Sequence, residues 1–166
     1  MRNLVAFPLL GLAVILQSSI ISQVRLLSGY ADLLLLILAA WALQERVKSA
    51  WHWAVVACAM VGFISGMPWL VVAIGYLGVI FLAQILQRRV WQAPLLAMFS
   101  VIFIGTLFVH VLSFIALQVL GVPLPLADVA NLITLPSLLL NMLFSIPVYA
   151  MMRDLAHWVY PLEEHE

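Results

Sequence analysis

Charged side chains are scarce in this sequence. Only 8% of its 166 residues are Asp, Glu, Lys or Arg, and the formal net charge is zero. No basic cluster is long enough to bind nucleic acid. The single cysteine, Cys58, has no second cysteine in the chain to pair with. Apolar residues dominate instead, at 66% of the chain with a mean hydropathy of +1.19, a composition typical of an integral membrane protein.

The motifs of common enzyme chemistry are also missing. The sequence has no HExxH, CxxC or Walker loop, and no Ser/His/Asp set or paired intramembrane carboxylates can be assembled from it. We therefore expect neither catalysis nor a cofactor or metal site. His110 and Asn141 stand out, because they fall near the middle of long apolar stretches, where an ionisable group raises a functional hypothesis. A hydrogen bond between them across two helices is the favoured interpretation, and a ligand contact or a proton path at His110 is the alternative.

Six apolar stretches follow one another along the chain. The predicted spans are 4–21, 26–43, 50–66, 69–86, 94–120 and 132–152. The second contains the shortest apolar run, and Asp32 near its start is placed to cap a helix N-terminus. The predicted fold class is all-α integral membrane, a compact bundle of six transmembrane helices that forms one domain over residues 1–166.

The few basic residues indicate an orientation for this bundle. If each stretch crosses once, six of the seven share one face: Arg2, Arg46, Lys48, Arg88, Arg89 and Arg153. Only Arg25 falls on the other face. The positive-inside rule then predicts that both termini are cytoplasmic. The tryptophans Trp51, Trp53, Trp91 and Trp158 lie near predicted span ends, which is typical of interfacial aromatic residues.

Small residues predict where helices approach closely. Gly62 and Gly66 form a G-x-x-x-G pair at the end of the third span, and Gly75 and Gly78 lie in the fourth. We favour packing of these residues within the chain, in a tight hairpin, over packing against a partner helix. Pro147 should kink the last span.

Four short segments carry a resemblance to a known family. They are Leu16-Gln17-Ser18-Ser19, Ala31-Asp32-Leu33-Leu34-Leu35-Leu36, Gly62-Phe63-Ile64-Ser65-Gly66 and Leu140-Asn141-Met142-Leu143-Phe144-Ser145-Ile146-Pro147-Val148-Tyr149. In order and spacing they resemble the bacterial rod shape-determining MreD family over nearly the whole chain. Two positions depart from that pattern, since Ala31 replaces a usual proline, and Met67-Pro68-Trp69 stands where an acidic residue usually comes shortly after Gly66.

The resemblance implies a non-enzymatic scaffold of the cell-elongation complex, in the bacterial inner membrane. Such a protein would dock the transmembrane helix of MreC. Through MreC it would meet MreB, RodA and a class B penicillin-binding transpeptidase. The MreD family is itself similar to the substrate-binding subunits of energy-coupling-factor transporters, so the alternative is a membrane subunit that binds a small, vitamin-type molecule.

Overall fold

The described part of the chain folds almost entirely into helices. The structure, a computed structural model, describes residues 5–19, 26–45, 47, 50–89 and 93–161. Its elements are α1 (Ala6–Ser19), α2 (Leu33–Ala42), α3 (Ala50–Ile64), α4 (Trp69–Arg89), α5 (Pro94–Val119), a one-turn α6 (Leu126–Asp128), a π-helix (Val129–Thr134) and α7 (Leu135–Val159). The predicted all-helical class is confirmed.

Three helical segments are long and apolar enough to cross a membrane. They are Trp69–Arg88, Pro94–Val119 and Leu126–Val159, whereas α1, α2 and α3 are apolar but shorter. The last of them extends well beyond the predicted 132–152 at both ends. Arg2, Arg25, Arg46 and Lys48, which contribute to the predicted orientation, lie outside the described residues.

Helix α2 is the centre of the bundle. It packs against α1, α3, α4, α5 and α7, and all ten of its residues are buried. A helix that is apolar on every face must be covered on every face, by protein or by lipid. At 1.5 Å per residue α2 is about 15 Å long. It therefore covers only about half of a hydrocarbon core of about 30 Å.

The last turn of α2 is fixed by an aromatic stack. The rings of Trp41 and Trp53 lie 4.2 Å apart and both side chains are buried. The prediction of an interfacial position for Trp53 is therefore wrong. Trp53 belongs to the buried face of α3, which also presents Ala50, Ala54 and Ala57 at helical spacing. The small alanines let α3 approach α2, and Trp53 fills the remaining space.

Residues 26–32, which we call the leading segment, are not helical. The predicted second span, 26–43, is therefore helical only over Leu33–Ala42. Leu26 and Gly29 exchange two backbone hydrogen bonds in a tight turn, of 3.1 and 2.9 Å, and Leu27 has a positive φ of 56°. The chain then runs without helical structure to Asp32, whose own backbone is extended.

From Ser28 to Asp32, every second amide of the leading segment donates to the last helical segment. Ser28 N–H bonds the Leu132 carbonyl at 3.0 Å, Tyr30 N–H bonds Ser137 Oγ at 3.0 Å, and Asp32 N–H bonds Asn141 Oδ1 at 2.7 Å. Two extended residues advance about 6.6 Å. Four or five helical residues advance about 6–7.5 Å, so the spacing of the donors in the leading segment matches the spacing of the acceptors along the last helical segment. The last segment thereby satisfies three backbone donors of the leading segment.

A proline makes the first of these acceptors available. Pro136 has no N–H, so the carbonyl four residues earlier, that of Leu132, loses its ordinary helical partner. The chain is a π-helix just before this point, over Val129–Thr134. Ser28 N–H supplies the missing hydrogen bond to Leu132. The interruption in the helix and the extended chain beside it therefore compensate each other.

Gly29 allows the leading segment to lie this close to the last helical segment. A Cβ atom at Gly29 would lie 2.6 Å from the Ser137 nitrogen, 2.7 Å from Pro136 Cβ and 2.8 Å from the Ile133 oxygen. Two of these atoms belong to backbone, which cannot rotate away. Only glycine leaves room for the hydrogen bonds on either side of it.

We expect Gly29→Ala to destabilise the protein. The added methyl group has to push the leading segment away from Pro136 and Ser137, and such overpacking costs about 1–3 kcal/mol. Gly11→Ala is the matched control, because a Cβ there meets nothing within 4 Å. Thermal unfolding of the purified variants in one detergent measures both. An equal melting temperature for the two variants would contradict the tight packing at Gly29.

Candidate functional site

A cavity of about 650 Å³ lies between the helices beside the start of α2. Ser65 and Met67 from the α3–α4 turn and Leu124 from the α5–α6 connection line it. The cavity therefore occupies the end of the bundle opposite Arg88 and Arg153. Its polar lining is contributed by several elements: Gln17, Ser18, Ser28, Tyr30, Asp32, Ser65, Tyr76, His110 and Ser113.

Asp32 joins the cavity to the start of α2. It is the N-cap residue of α2, the position that the sequence predicts, and its Oδ1 accepts the Leu35 N–H at 3.0 Å. The hydroxyl of Tyr76 donates toward both carboxylate oxygens, at 3.3 and 3.2 Å. Gln17 Oε1 accepts the Leu34 N–H at 3.3 Å. The first turn of α2 is thus held from α1, from α4 and by its own cap.

Asn141 connects three parts of the chain. Its Oδ1 accepts the Asp32 N–H, and its Nδ2 donates to Thr106 Oγ1 on α5 at 3.0 Å. The amide orientation follows from the partners, since a backbone N–H can only donate and must face the oxygen. Asn141 and Thr106 are 1% and 0% exposed, so neither can exchange its partner for water. We call Gln17, Asp32, Tyr76, Thr106 and Asn141 the polar cluster.

His110 is not part of this cluster. Its Nδ1 lies 3.1 Å from Thr134 Oγ1 in the π-helix, and its ring lines the cavity. The expected bond between His110 and Asn141 is therefore wrong. Asn141 lies at the level of Thr106, one helical turn of about 6 Å along α5 from His110. His110 and Asn141 therefore do not bond each other. His110 pairs with Thr134, and Asn141 pairs with Thr106.

The predicted close-packing glycines have three different surroundings. A Cβ at Gly62 would collide with the Trp69 ring, so this glycine packs inside the α3–α4 hairpin. Gly75 and Gly78 face α5 instead, where added Cβ atoms would lie 3.2 Å from Val109 and 2.7 Å from Phe108. At Gly66 nothing lies within 4 Å. Three of the four glycines thus pack within the chain, but only Gly62 packs within the predicted hairpin.

Pro147 lies on the exposed side of α7, and the helix continues through it from Leu135 to Val159. His52 and His157 are exposed, and His165 lies outside the described residues. Within the described part of the chain, no three His, Cys, Asp or Glu side chains come close enough together to hold a metal ion.

Sequence reasoning missed two members of the hydrogen-bond network, Thr106 and Ser137. Each lies four residues from a residue that the sequence singles out, Thr106 from His110 and Ser137 from Asn141. Residues four apart share one helix face. A pair of polar residues on one face of an apolar helix was therefore the signal that could have found them.

No protein-family model matches this chain, and no curated protein or solved structure matches it either.

We expect Asn141→Ala to lower stability more than any exposed polar substitution. Truncation leaves the Asp32 N–H and the Thr106 hydroxyl buried without a partner, at a cost of about 1–3 kcal/mol. Asn131→Ala is the matched control, because Asn131 is exposed in the π-helix. The melting temperatures in detergent compare the two variants. An Asn141→Ala protein as stable as the control would show that the cluster does not hold the bundle together.

Proposed function

We propose that this chain is a non-enzymatic scaffold of the bacterial cell-elongation machinery, residing in the inner membrane. Its role there is to dock the transmembrane helix of MreC and, through MreC, to meet MreB, RodA and a class B penicillin-binding transpeptidase. The proposal starts from the resemblance to the MreD family. One structural observation supports it.

That observation is the convergence of the four segments that carry the resemblance. Gln17, Asp32 and Asn141 come from three of these segments and meet in the polar cluster. Ser65, from the fourth segment, lines the cavity beside them. Residues that are far apart in the chain thus serve one local structure, the start of α2. The convergence of all four segments on one local structure favours a fold shared with that family over a chance similarity of apolar runs.

The proposed topology has six crossings with both termini in the cytoplasm. Helices α4 and α5 and the last segment are long enough for one crossing each. The second crossing combines two structures, because residues 30–32, at up to about 3.3 Å each, add at most about 10 Å to the 15 Å of α2. Their sum approaches the hydrocarbon thickness of about 30 Å. Arg88 and Arg153 then lie on the cytoplasmic face, and the cavity faces outward.

Recognition by this chain has to take place within the membrane. Only residues 65–68 separate α3 from α4, and only 120–125 separate α5 from α6. Helix faces are therefore the main surfaces that a partner can reach. Lipid provides no hydrophobic drive for helix association, so close packing and interhelical hydrogen bonds must select the partner. A bitopic partner such as MreC offers one helix for this purpose.

A second candidate function is supported by the cavity. Small-molecule sites typically have volumes of about 300–1,000 Å³, with apolar walls and a few polar groups. The cavity beside Asp32 meets this description. A substrate-binding membrane subunit of a vitamin-type transporter is therefore the alternative.

Purification of the tagged full-length chain from its own cells in a mild detergent separates the two functions. We expect MreC to copurify in near-stoichiometric amount, with RodA and the transpeptidase in smaller amounts. A polytopic membrane protein with the same tag, expressed at the same level, controls for non-specific capture. Recovery of a transporter ATPase and its coupling subunit, without MreC, would reject the scaffold.

A further inference from the structure

The cavity beside α2 combines apolar walls with one polar side. Side chains from α1, α3, α4 and α5 form the apolar part, among them Val14, Val61, Val72 and Phe114. The polar side includes Asp32, Tyr76 and Tyr30. An occupant must therefore be amphiphilic, with an apolar body and one polar group directed to the start of α2.

The polar side carries one carboxyl group, that of Asp32. Among the described residues that line the cavity, none is Lys or Arg. The Leu35 amide and the Tyr76 hydroxyl donate hydrogen bonds to this carboxyl group, which favours its ionised form, whereas its burial disfavours the charge. The N-terminus of α2 compensates this charge only in part, by about half an elementary charge.

The Asp32 carboxyl group can accept further hydrogen bonds from an occupant of the cavity. Two carboxylate oxygens provide about four acceptor positions. The side chain of Asp32 is only partly buried, and it lines the cavity. Aromatic rings lie on the same walls, those of Tyr30, Tyr76 and Phe114. Aromatic faces and a carboxylate both attract cations, and the attraction is stronger where water is excluded.

We infer that this cavity binds an organic ammonium group carried on an apolar body, with the ammonium at Asp32. A bound ammonium group supplies the opposite charge that favours ionisation of this carboxyl group, and a neutral or anionic ligand does not. The inference concerns the isolated chain and goes beyond the scaffold function. It deepens the transporter alternative by naming the substrate class, and it holds whichever assembly the chain joins. The ammonium can come from a free amine or from the headgroup of phosphatidylethanolamine.

Binding of three probes to the purified full-length chain in detergent tests the inference. The probes share one ring and differ in charge: 2-phenylethylamine, 2-phenylethanol and phenylacetate. Titration calorimetry should give a Kd for the amine at least about tenfold below that of the alcohol, or about 1.4 kcal/mol. Phenylacetate should not bind measurably. Equal Kd values for amine and alcohol, or tighter binding of phenylacetate, would overturn the inference.

The variant Asp32→Asn tests whether this one carboxyl group causes the preference for the amine over the alcohol. Asparagine is as good an N-cap as aspartate and still accepts the Tyr76 hydroxyl, so the fold should be kept. We expect the Kd of the amine to rise to within about twofold of that of the alcohol. Asp128→Asn is the matched control, because Asp128 is exposed at the same end of the bundle and does not line the cavity. An unchanged amine preference in Asp32→Asn would overturn the inference.

Ser113→Phe keeps the test decisive if Asp32→Asn fails to fold. Ser113 lines the cavity from α5, and the larger ring fills the space without touching the charge. Binding of the amine and the alcohol should both weaken by at least about tenfold, since the space that holds their rings is lost. Undiminished amine binding in Ser113→Phe would place the probe elsewhere and overturn the inference.

Lipid nanodiscs then separate the two sources of the ammonium. One set contains phosphatidylethanolamine, and the other contains monogalactosyldiacylglycerol, which is uncharged and has no amine. A weaker apparent affinity for 2-phenylethylamine in the first set alone indicates competition by the lipid headgroup. The same affinity in both sets indicates a free amine. Loss of the amine preference over 2-phenylethanol in both sets would overturn the inference.

Discussion

The three hydrogen bonds between the leading segment and the last helical segment are the interaction on which the rest of this structure depends. Non-helical backbone that lies against an apolar helix has to find acceptors within the protein, because neither lipid tails nor apolar side chains can accept a hydrogen bond. The Leu132 carbonyl, Ser137 and Asn141 provide them in register. Without these acceptors, residues 26–32 could not lie beside α7, and α2 could not begin at Leu33.

The short α2 and the cavity follow from this arrangement. A helix that begins halfway through the bundle leaves space in front of its first turn, and an extended chain fills less of that space than a helix would. The cavity lies in this region. Asp32 belongs to both structures, since it caps α2 and lines the cavity. A membrane protein with a discontinuous helix commonly places its binding site at the interruption, and the cavity of this chain lies beside the start of α2.

The sequence predicts the class of fold and several local features, but not their combination. Apolar composition and the position of Asp32 before a leucine run identify a membrane helix with an acidic cap. Hydropathy alone cannot tell an apolar segment without helical structure from an apolar helix, so it predicts one span over 26–43. The partners that decide their conformation lie more than 100 residues away. Trp53 was misplaced for a similar reason, since the same residue type suits an interface and a core.

Amide hydrogen exchange of the purified chain in detergent tests the central claim most directly. The amides of Ser28, Tyr30 and Asp32 are predicted to exchange at least about a hundredfold more slowly than unprotected amides, because each donates a hydrogen bond inside the bundle. The amides of α2 should be similarly slow. Exchange of these three amides at the rate of unprotected ones, beside a protected α2, would contradict the account.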